Sequence, residues 1–390
     1  MRSNRSVERE AETMTKKQNL FEPLADPELV AQLRAFVPEH LAPTAAAIDK
    51  EDRFPVAEVK ALARAGFMST HVPREFGGSD RPFVDTVAVF EEVSVASAAV
   101  GASLITTFLA QTCLRLSGTE AVKARFLPLF NDGLVASFAM TEAAHGSDVK
   151  KLDTKARRTA EGWILDGAKA YVTSSSAAEL FVILAESEGG ITSFVVPRDA
   201  PGVSVEPATD DVHAFGLRNG PHCTVRLTGA RVPLDCMLGE EGHGIRHAAT
   251  SLDHSRTLAA AISLGVARAA FTGALDWARN RKAGGKPIIE HQGIAWYFAE
   301  LVTEIDAARL LTYQAARAVE QEREIERLPA QAKLLASRVA VQAATQAIQI
   351  CGAQGMLETQ PFGRYLRDAK AYEIAGGSSE ILKNTIAKHL

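Results

Sequence analysis

Cysteine is scarce in this chain and never closely paired. The 390 residues contain four cysteines and no C-x-x-C motif: Cys113, Cys223, Cys236 and Cys351. A disulfide framework or a zinc site needs closely spaced pairs, and isolated cysteines are typical of proteins from reducing compartments. We therefore expect four free, buried thiols, a cytoplasmic location and no metal.

Strong charge of one sign and long apolar runs also look absent. Lys and Arg number 43 against 47 Asp and Glu, and basic clusters such as 279–282 are short. We see no run of about 20 apolar residues that would span a membrane, and residues 1–18 lack the apolar segment of a secretory signal. We therefore expect no membrane or nucleic-acid partner. Residues 1–22 are expected to be a disordered tail.

The common signatures of nucleotide-binding and hydrolytic enzymes are missing too. There is no G-x-G-x-x-G after a strand, no phosphate-binding P-loop, no H-E-x-x-H and no G-x-S-x-G. His243 and His247 are four residues apart, but glycines flank the first, which favours a solvated turn over a metal site. The function must therefore depend on other motifs.

What the chain does have is an apolar periodicity that changes twice. In the first third, apolar residues recur at helical spacing; Leu29, Leu33 and Phe36, for example, fall on one helical face. The middle third has short β-branched runs, and "GWILDGAKAYVTS" predicts a hairpin with an Asp-Gly turn. Long Ala-rich helices follow, which suit a bundle. The pattern predicts a mostly α protein with a central β domain, divided into a tail (1–22), a helical domain (23–136), a β domain (137–238) and a helical bundle (239–390).

Six segments follow one another in order between residues 25 and 390. They are "FAMTEAAHGSD", "KAYVTSS", "RLTGARVPLDCMLGEEGHGI", "ARNRKAGGKPIIEHQ", "QICGAQG" and "RYLRDAKAYEIAGGSSEILKN". Together they resemble the acyl-CoA dehydrogenase family, in which the first segment reads Thr-Glu-Pro-x-x-Gly-Ser-Asp. The resemblance implies an N-terminal helical domain, a small β-barrel and a C-terminal four-helix bundle. This layout agrees with the one that periodicity predicts.

The resemblance also implies an FAD site between the β domain and the bundle. Fixed hydrogen-bond donors near a flavin ring stabilise its reduced form. The positions that match the surroundings of the ring are Thr141, Ser147, Tyr171 and Thr173, with Tyr171 standing where the family usually has Trp. The residues that match contacts to the rest of FAD are Arg281, Gln292, Gln349, Gly352, Ser378 and Glu380.

Some of these contacts reach a neighbouring subunit in the family, so the resemblance implies a homotetramer. It also implies an electron acceptor such as an electron-transfer flavoprotein. Three residues depart from the pattern at packing positions, namely Ala143, Gly284 and Ala353. The glycine-serine stretch 376–379 matches a cofactor loop, and the alternative is a simple helix end and restart.

The family's catalytic glutamate is missing from both of its usual places. Gly376 stands at the commoner position, and Ser255, directly before Arg256, stands at the other. A displaced base would be Glu373, three residues before the first vacancy, or His254, next to the second. Asp253 and Arg256 match the segment that lies beside the thioester and its pantetheine arm.

Three functions remain open at this point. The first is FAD-dependent α,β-dehydrogenation of an acyl thioester, carried by coenzyme A or by a carrier protein, in a specialised biosynthetic pathway. The second is an oxidase or monooxygenase of the same fold. The third is a non-catalytic or partner-dependent subunit. A carboxylate or imidazole within reach of the substrate would distinguish the first function from the third.

Overall fold

The computed structural model describes residues 24–146, 148, 151–207, 214–323 and 325–390. The expected tail at 1–22 and the candidate Ser147 lie outside the described residues. The four cysteines are free and buried, as expected.

The N-terminal part consists of helices. Their bounds are Pro27–His40 (α1), Ala45–Glu51 (α2), Val56–Arg64 (α3), Phe83–Ala96 (α4), Ala98–Ser117 (α5) and Glu120–Phe126 (α6). The side chain of Asp26 caps α1 by accepting a hydrogen bond from the Glu28 amide, 2.9 Å away. Leu29 and Leu33 are buried on the predicted face of α1. Helix α1 thereby joins the main apolar core.

The middle part forms an eight-stranded sheet. Its strands are Ala136–Ala139 (β1), Lys155–Arg158 (β2), Trp163–Val172 (β3), Leu180–Ser187 (β4), Gly190–Pro197 (β5), Val203–Glu206 (β6), Cys223–Val232 (β7) and Met237–Leu238 (β8). The order is β6-β7-β3-β2-β4-β5-β8, and β1 pairs in parallel with β4. Among the described residues, these pairings do not close the sheet into a barrel.

The predicted Asp-Gly hairpin is wrong, because "GWILDGAKAYV" lies within one strand, β3. Gly167, at φ +148°, sits at a register shift between β3 and β7. A Cβ there would lie 2.6 Å from the Cα atom of Thr154, so the position requires glycine. Asp166 accepts a hydrogen bond from the amide of Gly229. The Asp-Gly pair therefore makes a bulge instead of a turn.

The first strand is held on one side by a helix. The Thr107 hydroxyl of α5 donates to the Ala136 carbonyl at 3.1 Å and accepts from the Ala136 amide at 3.2 Å. On its other side, β1 pairs with β4. Helix α5 therefore satisfies both backbone groups at the start of β1.

The C-terminal part is a helical bundle. Its helices are Gly244–Asn280 (α7), Gln292–Glu320 (α8), Arg327–Cys351 (α9), Phe362–Ala371 (α10) and Ser379–Ala387 (α11), with a small hairpin of Lys282–Ala283 (β9) and Lys286–Pro287 (β10) between α7 and α8. Helices α7 and α8 pack against each other, and α9 packs against both of them. Helix α10 contacts α7 and α9, which confirms the predicted bundle, and α11 lies on α9.

Two helices are long and apolar enough to cross a membrane by length and composition, which the sequence reading did not anticipate. They are α5 and α7. Of the most apolar window in each, 83% and 72% is buried inside the protein. Burial of this extent is typical of core helices.

A buried ion network joins the N-terminal helices to the bundle. Glu91 of α4 is fully buried and accepts hydrogen bonds from Arg268 of α7 at 2.7 Å and from the Tyr313 hydroxyl of α8 at 2.8 Å. Arg309 adds a second cation at 3.1 Å. The network fixes α4 against two bundle helices at once.

Candidate functional site

Thr141 and Thr173 each lie just after a strand of the sheet. Thr141 follows β1, and Thr173 follows β3. The Thr141 carbonyl accepts from the amide of Ala170, and the Thr173 carbonyl accepts from the hydroxyl of Ser137 at 2.8 Å. These bonds set the two segments side by side in opposite directions, so that Thr141 lies beside Ala170 and Thr173 lies beside Ser137. Both are half-buried.

Tyr171 lies near the end of β3 and points into solvent, with 74% of its surface exposed. Its φ is +53°, in the left-handed region that non-glycine residues rarely adopt. The β3–β7 register shifts between Lys169 and Val172. The irregular backbone thus turns a large aromatic ring outward, where an aromatic ligand could stack on it.

Glu142, next to Thr141, forms a buried ion pair with Lys169. The carboxylate lies 2.6 Å from the Lys169 amine and accepts from the Thr154 hydroxyl at 2.6 Å. Burial alone would raise its pKa, but these partners and the Asp153 amide hold the pKa of Glu142 down at about 2. The pair fixes the segment that carries Thr141.

Glu142, His145 and Asp153 are close enough together to hold a metal ion. The Glu142 carboxylate is, however, already occupied by Lys169 and by the Thr154 hydroxyl. A metal would have to displace a buried cation. The cluster is therefore better explained as support for the Thr141 segment.

The residues matched to the far end of FAD lie on the surface of the chain. They are exposed at the end of α7, the start of α8 and the end of α9, and comprise Arg281, Gln292, Gln349 and Gly352. The Arg281 guanidinium forms no ion pair with another described residue. It is therefore free to meet an anionic group.

The stretch from Glu373 to Glu380 comprises most of the loop between α10 and α11 and the first two residues of α11. The Ser379 amide donates to the Glu373 carbonyl at 3.0 Å, and the Ser378 hydroxyl caps α11 by accepting from the Ile381 amide. Gly376 and Gly377 have φ values of +71° and +100°. One helix does end and another begin here, but Ser378 also directly follows an open glycine turn.

The vacant position at Gly376 is sterically open. A Cβ built there meets no atom within 4 Å. Nothing in the packing therefore accounts for glycine at this position, whereas its left-handed φ does favour it. The loop has room beside its backbone for a ligand.

Asp253 and Arg256 form a buried ion pair one turn apart on α7. The Arg256 guanidinium donates to an Asp253 carboxylate oxygen at 2.8 Å. Burial raises the pKa of Asp253 to about 7, although Arg256 opposes the shift. The buried Nε of Arg256 has no hydrogen-bond partner among the described residues. Such a donor calls for an acceptor from a ligand.

Lys333 of α9 links this pair to the glycine loop. Its side chain is fully buried, and its amine donates to the Gly377 carbonyl at 2.6 Å. The charges of Arg256, Glu373 and Glu380 all act on it. The segment 253–256 and the loop 373–380, which are far apart in sequence, therefore meet around Lys333.

The two candidate bases have other partners. The Glu373 carboxylate is paired with Lys370, whose side chain is 52% exposed. The His254 ring lies 4.9 Å from the Phe83 ring, and its Nδ1 donates to the Thr250 carbonyl. Burial lowers the pKa of His254 to about 4. Asp253 is the acidic group beside Arg256, so it becomes a third candidate base.

Two members of this site, Lys169 and Lys333, were not predicted from the sequence. Both are fully buried, a rare state for lysine. For Lys333 a signal exists in the spacing, because Ala330, Ala336 and Ser337 on the same helical face are small and also buried. A lysine on such a face is not on the solvent side.

These features fit FAD. An outward aromatic ring at Tyr171 suits a flavin, and an exposed guanidinium at Arg281, which forms no ion pair with another described residue, suits a diphosphate. The open turn at Gly376 lets a ligand approach the backbone closely. The residues present therefore match an aromatic, anionic cofactor.

Three family models match the chain in order. They are the N-terminal domain (residues 26–133), the middle domain (137–230) and the C-terminal domain (242–390) of acyl-CoA dehydrogenase. The mitochondrial short-chain specific acyl-CoA dehydrogenase of Homo sapiens is 33% identical over 369 residues, which cover 93% of this chain and 89% of that protein.

Solved structures agree with this match. Butyryl-CoA dehydrogenase from Megasphaera elsdenii has a TM-score of 0.90 at 28% identity, over 95% of this chain and 99% of that one. The prolyl acyl carrier protein oxidase AnaB has a TM-score of 0.87 at 28% identity, over 93% and 97%. The chain therefore belongs to the acyl-CoA dehydrogenase family of FAD-dependent oxidoreductases, which act on CH–CH bonds.

Proposed function

We propose that this enzyme oxidises the Cα–Cβ bond of an acyl thioester. The observation that carries the proposal is the meeting of segment 253–256 with loop 373–380 around Lys333. In the family, these two segments border the thioester and the flavin. Here they hold a buried Arg256 Nε–H, which has no acceptor among the described residues, and an open glycine turn. Together these offer a hydrogen-bond donor and space to a ligand.

FAD would be held by both parts of the chain. Thr141, Thr173 and Tyr171 would border the ring, together with Ser147. The nucleotide would meet the remaining candidates, namely Arg281, Gln292, Gln349, Gly352, Ser378 and Glu380. The exposure of Arg281, Gln292, Gln349 and Gly352 supports contacts to a neighbouring subunit. We therefore propose a homotetramer.

When bound, FAD supplies the acceptor for the hydride that leaves the β-carbon. The protein must take the α-proton, and three groups could do so. Asp253 is buried beside the expected thioester and has a raised pKa, which suits a general base near neutral pH. Glu373 and His254 are the alternatives. The Arg256 Nε is free to hold a substrate oxygen.

The substrate is proposed to be a short acyl group on coenzyme A or on a carrier protein. One similar protein is named for short chains, one for butyryl-CoA and one for a prolyl carrier protein. We propose a biosynthetic role, a cytoplasmic location and an electron-transfer flavoprotein as the acceptor.

The test is anaerobic mixing of the FAD-loaded protein with butyryl-CoA and with acyl and prolyl carrier proteins, followed by flavin absorbance. Bleaching by one class identifies the carrier. We expect one of Asp253→Asn, Glu373→Gln and His254→Gln to slow bleaching about 10²–10⁴-fold. Glu120→Gln, a change at an exposed helix position, serves as the control. A protein that remains colourless after FAD loading and desalting would contradict the proposal.

Oxidase activity is the second candidate, because AnaB is named as an oxidase. Reoxidation of the bleached flavin by air distinguishes the two functions. Oxygen consumption with one peroxide formed per turnover would favour the oxidase. If air has no effect and a protein acceptor is needed, the dehydrogenase is favoured.

A further inference from the structure

Lys333 is a buried cation that forms no ion pair with another described residue. Its side chain is 0% exposed. Its one hydrogen bond among the described residues goes to the Gly377 carbonyl, at 2.6 Å. Buried lysines are usually paired with an acid. Here the ammonium group donates instead to a backbone oxygen of a loop.

That oxygen belongs to a loop with few other restraints. Gly376 and Gly377 have left-handed φ values and no Cβ atoms to pack. On one side the Ser379 amide donates to the Glu373 carbonyl, and on the other Ser378 caps α11. Without Lys333, the Gly377 carbonyl would lose its partner, and the two glycines would be free to change conformation.

The amine is faced by charges from three elements. Arg256 comes from α7, Glu373 from the loop after α10 and Glu380 from α11. Burial, followed by the charge of Arg256, lowers the pKa of Lys333 to about 8, and the two carboxylates oppose this shift. The amine is therefore mostly charged at pH 7 and mostly neutral at pH 9. A charge-assisted hydrogen bond is about twice as strong as a neutral one.

We propose that Lys333 is a positioning residue that orders the Gly376–Gly377 turn through its bond to the Gly377 carbonyl. Proton loss from the amine weakens this bond and loosens the turn. One part of the proposal rests on the proposed function, namely that the turn faces FAD and the thioester. The ordering of the turn itself depends on contacts within the chain.

The experiment is hydrogen exchange of the FAD-loaded protein, measured by mass spectrometry on peptides that cover 372–380. Exchange is followed at pH 7 and pH 9 and corrected for intrinsic rates. Lys333→Met removes the donor at similar length, and Lys333→Gln keeps a neutral donor. Lys383→Met, at an exposed position of α11, removes a nearby charge without touching the turn.

Wild-type protection in this peptide should fall about threefold or more from pH 7 to pH 9. Lys333→Met should show protection about tenfold lower at pH 7, with no further fall at pH 9. Lys333→Gln should resemble the wild type at pH 9, and Lys383→Met should resemble the wild type at both values. If Lys333→Met does not fold, the pH response of the wild type against Lys333→Gln decides the matter.

Equal protection in the wild type and in the folded Lys333 variants, at both pH values, overturns the proposal. An FAD titration separates it from the proposed function. If the turn loosens while FAD affinity is unchanged, Lys333 does order the turn, but the proposed contact of the loop with FAD is wrong. If the wild type binds no FAD, the same exchange measurement on the unloaded protein still tests Lys333.

Discussion

Asp253 and Arg256 form an ion pair of 2.8 Å in which the carboxylate is only 3% exposed. Burial makes the charged form of Asp253 costly, so its pKa rises from 3.8 to about 7. The folded protein therefore keeps a proton on Asp253 that the unfolded chain has already lost. Between pH 4 and 7, this difference lowers stability as the pH rises.

The first prediction follows from this loss of stability with rising pH. Asp253→Asn mimics the neutral acid, so it should match the wild type below pH 4 and be more stable at pH 8, by about 1–3 kcal/mol. Thermal unfolding at both pH values measures the difference. A variant that is less stable than the wild type at pH 8 would show that the attraction between Asp253 and Arg256 exceeds the cost of burying the charged carboxylate.

The second prediction concerns the buried network at Glu91. Glu91→Gln removes the charge that Arg268 and Arg309 share, so Arg309 loses this carboxylate and Arg268 keeps only its pair with Glu92. We expect a loss of about 3–5 kcal/mol in the free energy of unfolding. Glu120→Gln, which breaks an exposed pair with Lys123, should cost less than about 1 kcal/mol. Urea unfolding at pH 7 compares them.

The same residue predicts an acid response. Burial alone would raise the pKa of Glu91, but Arg268 and Arg309 lower it below the ordinary 4.5. Its contribution is therefore fully present above pH 4.5 and is lost as the pH falls through the lower folded value. The stability gap between the wild type and Glu91→Gln should narrow only below pH 4.5. A gap that closes by pH 6 would contradict this assignment.

The third prediction tests the vacant position at Gly376. Gly376→Glu should cost about 1–2 kcal/mol in stability because φ is +71°, although the space around it is open. It should speed flavin bleaching by butyryl-CoA if the remaining site is intact. Gly376→Gln carries the same strain without a base. If the two variants bleach at equal rates, the added carboxylate does not reach the substrate.

The fourth prediction concerns Arg281, which is exposed at the end of α7. Arg281→Ala should weaken FAD binding about 10–100-fold, because a charge-assisted contact to phosphate contributes about 1.5–3 kcal/mol. It should also lower the oligomer fraction in light scattering. Arg279→Ala, which changes a nearby exposed arginine, is the control. Unchanged FAD affinity and assembly would remove Arg281 from the site.

Local patterns predicted much of the fold. The spacing of Leu29 and Leu33 predicted the buried face of α1. The Asp166-Gly167 pair misled because its turn preference was overridden by pairing with β7, where glycine fits a close approach to Thr154. Short-range rules cannot include a neighbour from elsewhere in the chain. The domain boundaries at 136 and 238 stay predictions.

The site was harder to predict, since it depends on contacts between distant segments. The sequence motifs gave Arg256 and the glycine loop, but not the buried amine of Lys333 that joins them. Likewise, the resemblance assigned Asp253 to the substrate segment, but its raised pKa follows only from its burial in the folded chain. Charge states depend on solvent exposure, which one segment alone does not determine.

The bond between Thr107 and Ala136 has a consequence for the behaviour of the chain in concentrated solution. An unpaired strand edge invites pairing with another molecule, and this is a common start of aggregation. The hydroxyl of Thr107 occupies both backbone groups of Ala136 on the side away from β4. A single methyl-for-hydroxyl change, Thr107→Val, would therefore uncover the start of that strand. Helix α5 therefore prevents the start of β1 from pairing with a strand of another molecule.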